Sequence, residues 1–142
     1  RRRLRQQIRE WRSGEAYGLF IFLNERRRLV GGINLSNVRR GVAQTASVGY
    51  WMGAPHAGQG LMTDALRAIL PFAFDEMGLN RVMLHVDERN QRAIACYRKC
   101  GFVEEGRLRQ DRYAEGRFWD TVVMGVLRDE FEAKHGRKAK DA

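Results

Sequence analysis

The sequence predicts a single α/β (α+β) domain: a mixed central sheet with helices on both faces. Three observations predict it. Apolar runs of strand length recur, bounded by turn residues. Segments of helical periodicity interrupt them, giving the order helix, three strands, helix, strand, helix, two strands. The 142 residues suit one core, and neither an internal repeat nor a linker divides them.

Taking the elements in order, Leu4, Ile8 and Trp11 repeat among arginines and predict an amphipathic helix over residues 4–12. Tyr17–Leu23 and Leu29–Leu35 read as a hairpin joined by Asn24-Glu25-Arg26-Arg27-Arg28, and Thr45–Met52 as a third strand ending at Gly53-Ala54-Pro55. Leu61, Ala65, Leu66, Ile69 and Phe72 place a helix over 59–77. Gly78 is its stop and Pro71 a point where it kinks. In the strand Arg81–Asp87, Val82, Leu84 and Val86 share one face, and Met83, His85 and Asp87 the other. Gln91–Cys100 is a short helix with Asn90 as N-cap and Gly101 as stop. Phe102–Leu108 and Arg117–Leu127 are the last strands, joined through Glu115-Gly116. Residues 128–142 form a charged helix and tail.

Composition narrows the function. Lysine and arginine number 26 against 17 aspartates and glutamates, a net charge of +9. Such a surface favours anionic partners: nucleic acid, the ribosome, a membrane surface or a phosphate-rich cofactor. Neither a groove-reading helix nor an aromatic RNA motif stands out. The two cysteines, Cys96 and Cys100, lie four apart on one helix. They suggest neither a disulfide framework nor a zinc site, so free thiols, no metal and a cytoplasmic location are expected. The longest apolar run is too short to cross a bilayer, so no membrane partner is expected. The chain starts at Arg1, not methionine, so its native start is expected to lie upstream.

Two motifs carry chemistry. His56-Ala57-Gly58-Gln59-Gly60-Leu61-Met62-Thr63 ends a strand and opens a helix with paired glycines. Free backbone N–H groups at a helix start, on the positive end of its dipole, bind phosphate, and glycines let the ligand approach closely. An ordinary tight turn before a helix would look similar. Gly58 and Gly60 have no third glycine at Thr63, so a dinucleotide fingerprint is poor, and no Gly-Lys-Ser/Thr follows. The second motif is Asn90-x-x-Ala93-x-x-x-Tyr97-x-Lys99-x-Gly101-Phe102. Tyr97 sits two turns into its helix, on the face of Ala93. A tyrosine there is either core or a proton donor.

In this order, with one helix and one strand between them, the two motifs resemble the phosphate loop and following helix of the GCN5-related N-acetyltransferases (GNAT). The resemblance implies an acetyl-CoA-dependent enzyme. It implies that Ala57, Gly58, Gln59, Gly60, Leu61 and Met62 hold the pyrophosphate. Asn90 and Ala93 then border the pantetheine arm, and Tyr97 is the general acid toward the thiolate. It further implies that Tyr50, Trp51 and Met52 lie on a strand that splays from its neighbour, so that free backbone groups meet the pantetheine and one N–H polarises the thioester carbonyl. Family members show Gln/Arg-x-x-Gly-x-Gly/Ala at the loop; Pro55 stands at its first position here, which removes one side-chain anchor.

Many relatives carry a glutamate base two residues before Gly-Tyr-Trp, where this chain has Ser47. His85, five residues before Asn90, is the substitute candidate, the alternative being a hydrogen-bonded structural histidine. Phe102-x-x-Glu105-Gly106, Asp111-x-Tyr113 and Gly116-x-x-Trp119-Asp120 resemble the ribosomal-protein alanine N-acetyltransferases. That implies a protein N-terminal α-amine as acceptor, with ribosome contact through the basic surface and a monomeric or homodimeric state. The same subfamily includes enzymes for amino acids and small amines, and a non-catalytic RNA- or ribosome-binding module is a third reading. The resemblance also implies a further strand and helix ahead of the matched region, expected to be missing here.

Overall fold

The computed structural model describes residues 2–10, 17–23, 28–52 and 60–134. Seven strands form one sheet: β1 (Arg2–Glu10), β2 (Tyr17–Leu23), β3 (Arg28–Arg39), β4 (Thr45–Met52), β5 (Arg81–Asp87), β6 (Val103–Ala114) and β7 (Arg117–Leu127). Their order is β1-β2-β3-β4-β5-β7-β6. Only β4 and β5 pair in parallel, so the sheet is mixed as expected. Among the described residues three α-helices accompany it: α1 (Leu61–Pro71), α2 (Gln91–Lys99) and α3 (Arg128–Lys134).

The helix expected over 4–12 is a strand instead. β1 pairs antiparallel with β2, from Arg2↔Leu23 to Glu10↔Tyr17, with a register shift between Arg5 and Arg9. Positions 4 and 8 are an even number apart and suit a pleat as well as a helix, so spacing could not decide. Pairing to β2 decided. An arginine-rich strand at a sheet edge also discourages further pairing.

The core lies on one face of the sheet. Ile33 and Leu35 of β3, Ala46 and Val48 of β4, Val82, Leu84 and Val86 of β5, and Val122, Met124 and Val126 of β7 are all buried there. Strand alternation puts them on one side, where they join Ala65, Leu66, Ile69, Ile94, Tyr97 and Phe131 of the helices in one cluster. Asn34, Ser36, Ser47, Met83, His85, Asp87, Thr121 and Val123 occupy the other side, called the open face below.

Local chemistry fixes the element ends. Gly60 precedes α1 with φ 73°, a left-handed conformation suited to glycine. The helix widens after Pro71 into a π-helical turn, Phe72–Glu76, where Met77 N–H donates to the Phe72 carbonyl at 3.0 Å. Gly78 (φ 68°) ends it. Arg128 then donates to the carbonyls of Phe74 (2.9 Å) and Leu79 (2.8 Å), tying α3 to that end. β6 runs longer than expected because it meets β7 in a hairpin closed by Glu115 (φ 51°) and Gly116 (φ 79°). A bulge between Leu108 and Arg112, with Gln110 at φ 52°, interrupts the ladder.

Candidate active site

The feature that builds the site is a break in the sheet. β4 and β5 pair only through Thr45↔Arg81, Ala46↔Val82 and Ser47↔Met83. Beyond those three pairs β4 stays bonded to β3 as far as Met52, and β5 to β7 as far as Asp87. The two strands therefore diverge, leaving Val48–Met52 and Leu84–Asp87 with no ladder between them. This is the splay implied by the resemblance. Tyr50 and the backbone of Trp51 and Met52 lie along its β4 edge.

α2 brings Tyr97 to the core side of this gap. Asn90 caps the helix by accepting from Ala93 N–H at 3.2 Å, and Gly101 (φ 101°) terminates it. The Tyr97 ring packs edge-on against Tyr50, centroids 6.1 Å apart, and against Phe102 at 6.0 Å. Tyr97 is fully buried, and its hydroxyl interacts with Tyr50 but makes no hydrogen bond of good geometry among the described residues. Burial, and secondarily the adjacent Tyr50, holds the phenol protonated well above the usual tyrosine range. It is thus a protonated O–H donor beside the splayed strand.

α1 flanks the same region. Gly60, at the N-cap of α1, has no side chain to cap the first-turn N–H groups. Thr63 Oγ1 lies 3.0 Å from Cys96 Sγ, fastening the first turn of α1 to α2. Met62 and Ala93 are half-buried against the core. Ala57, Gly58 and Gln59 lie outside the described residues, as do His56 and residues 135–142. Asn90 is exposed, and with its side-chain oxygen spent on the cap its amide N–H₂ remains for other partners.

His85 is exposed on the open face, across from Val123. It lies on the opposite side of the sheet from Tyr97, with the splay between them. Asp87, one pleat further along, is gripped by Arg89 and held down at about 2 by those hydrogen bonds, so it is a poor base. Burial pushes the Cys100 thiol up to about 11, so it is no nucleophile near neutrality. Cys96 and Cys100 are both free. Among the described residues no group of side chains could hold a metal ion, and no helix is long and apolar enough to cross a membrane.

The sequence flagged the β6–β7 motif without roles, and the hairpin supplies them. Asp111 accepts from the buried Thr121 hydroxyl (2.7 Å), and Asp120 accepts from Gln110 N–H (2.9 Å) at the bulge. Tyr113 packs edge-on against Phe118, ring centroids 5.0 Å apart. Trp119 donates to the Ala114 carbonyl, and its ring lies between the guanidinium groups of Arg89 (4.5 Å) and Arg117 (4.1 Å). Sequence reading missed the Tyr50–Tyr97 contact and the Asp87–Arg89–Trp119 cluster; only the tertiary pairing of β5 with β7 assembles the latter.

The model of the acetyltransferase (GNAT) domain matches residues 1–103. The chain belongs to the GNAT N-acetyltransferase family. This GNAT chain is 33% identical, over 93% of its length, to the "Probable N-acetyltransferase YjcK" of Bacillus subtilis, of which it covers 73%. It is 35% identical over 75% of its length to the "Putative ribosomal N-acetyltransferase YdaF" of the same organism, covering 57% of that protein. Among solved structures it is similar to the spermidine/spermine N-acetyltransferase SpeG of Vibrio cholerae, with a TM-score of 0.80 at 24% identity over 87% of this chain and 71% of that one. The last likeness supports the acyltransferase fold. The chain thus spans from just over half to about three quarters of the length of these relatives.

Proposed function

We propose that this chain transfers the acetyl group of acetyl-CoA to a primary amine, and that the acceptor is a protein N-terminal α-amine, ribosomal proteins being the first candidates. The observation that carries the reading is the buried Tyr97 hydroxyl at the β4/β5 splay, which makes no hydrogen bond of good geometry among the described residues. A buried donor without an acceptor is costly unless a ligand supplies one. A thioester sulfur beside Tyr97 would do so.

In this reading residues 57–62 take the pyrophosphate, and the unpaired edge of β4 at Tyr50, Trp51 and Met52 takes the pantetheine amides. One backbone N–H in the gap polarises the thioester carbonyl. The amine enters from the open face and forms the new N–C bond as the C–S bond breaks. Tyr97 gives its proton to the departing sulfur. His85 takes the proton lost by the amine, directly or through water. An α-amine titrates near ~8, against ~10.4 for lysine, so a weak base is enough.

The charges beside the open face favour this acceptor over a polyamine. Asp87 and Glu115 pair with Arg89, Glu105 with Arg81, and Glu88, Glu104 and Asp120 with Arg107; Asp111 is bound by Thr121. Every carboxylate from residue 87 to 120 is therefore engaged. A polycation would meet carboxylates that, Asp111 apart, are already paired with arginine, on a chain of net charge +9. The likeness to YdaF and the basic surface fit a ribosomal acceptor and a ribosome contact. Incubating stripped ribosomal proteins with isotopically labelled acetyl-CoA, and mapping the label by mass spectrometry, tests the proposal. Label on N-terminal amines supports it; label confined to added spermidine would replace it with the small-amine reading.

A further inference from the structure

Asp87 lies one pleat beyond His85 at the end of β5. It shares the open face with His85, and residues two apart on a strand lie about 6.6 Å apart. That is close to the separation between a peptide's α-amine and the side chain that follows it. Yet the carboxylate is already closed. Arg89 donates to Asp87 Oδ1 from its backbone N–H (2.9 Å) and Nε (3.0 Å), and to Oδ2 from Nη2 (2.7 Å). The guanidinium is itself held, lying 4.5 Å from the Trp119 ring centroid and 3.3 Å from Glu115 Oε2. Arg112 also adds positive potential at Asp87 and donates to Thr121, the cross-strand neighbour of Asp87.

We propose that Arg89 determines acceptor selectivity: by neutralising Asp87 beside the acceptor position, it disfavours amines that carry a second cation close to the reacting nitrogen. The inference rests on the acceptor side assigned above. Lysine or arginine at the second position of the acceptor is disfavoured by the wild type. Removing the guanidinium exposes an anion on the acceptor face and reverses that bias.

The test uses two peptides that differ only at their second residue, Ala-Gln and Ala-Arg, so that both offer the same reacting α-amine and the added cation is not itself an acceptor. Arg89→Met keeps an apolar stem against Trp119 and removes the charge. The expected result is a rise of about 2- to 5-fold in the Ala-Arg to Ala-Gln ratio of kcat/KM, the scale of one exposed ion pair. In the double variant Arg89→Met/Asp87→Asn the ratio should return to the wild-type value. An unchanged ratio in Arg89→Met, or a rise that survives in the double variant, overturns the proposal while leaving the α-amine reading intact. If the wild type acetylates neither peptide, the α-amine reading has failed and this inference falls with it. A ratio measured within one variant is insensitive to folded fraction and acetyl-CoA affinity, so damage to the neighbouring α2 cap cannot imitate the effect.

Discussion

Replacing Tyr97 with phenylalanine should make the protein more stable and less active. The ring contacts with Tyr50 and Phe102, at 6.1 and 6.0 Å, survive the substitution. Only the hydroxyl is removed, and among the described residues it makes no hydrogen bond of good geometry. An unsatisfied buried hydroxyl costs about 1–3 kcal/mol. Its removal should return about 1 kcal/mol, or roughly 3–5 °C in Tm for a domain of this size. Loss of a general acid costs about 10²–10⁴-fold in rate. The pH dependence adds an independent check. The folded phenol is held above its ordinary value of 10.0, so the unfolded chain releases its proton first. Wild-type stability should therefore fall as pH rises past about 10, and Tyr97→Phe should lose this component of the decline. Calorimetric scans and single-turnover acetyl transfer, run on both proteins, decide the matter. A lower Tm with unchanged turnover would show that the hydroxyl is a structural bond and not a poised donor.

Three further outcomes follow from named contacts. Gly60→Asp introduces a side chain at φ 73° and a negative charge at the α1 start, so acetyl-CoA affinity measured by calorimetry should collapse; Gly60→Ala, lacking the charge, should cost about 1–2 kcal/mol of stability and far less affinity. His85→Ala and His85→Gln should both depress turnover most at low pH, where fewer acceptor amines are already deprotonated, and pH–rate profiles that overlay the wild type would leave water as the base. Asp87, ordinarily titrating at 3.8 and held at about 2, contributes stability above pH 4 that is lost as pH falls toward 2. Acid unfolding of Asp87→Asn should be flatter across that window, by an amount reduced by the site's exposure to solvent.

The parts of the site legible in the sequence are those set by local chemistry. Asn90 as cap, Gly101 as stop and the burial of Val82, Leu84 and Val86 needed only short-range spacing, and each is present. The splay was implied by the motifs but not readable from β4 or β5 alone, since either strand could have paired along its whole length. β1 was misread because its spacing of four satisfies a helix and a pleat equally. The arginine–carboxylate pairs were invisible for a related reason. Arg107 meets Glu88 and Asp120 only because the β6–β7 hairpin folds back beside the end of β5.

The central claim is transfer to an α-amine through the splay. A single peptide carrying both a free N-terminal alanine and an internal lysine tests it most directly. After incubation with acetyl-CoA and the purified protein, fragment-ion mass spectrometry locates the acetyl group. The acetyl group is expected on the N-terminal nitrogen, with Tyr97→Phe greatly slowing its appearance. Acetylation of the lysine side chain alone, or of neither amine, would contradict it.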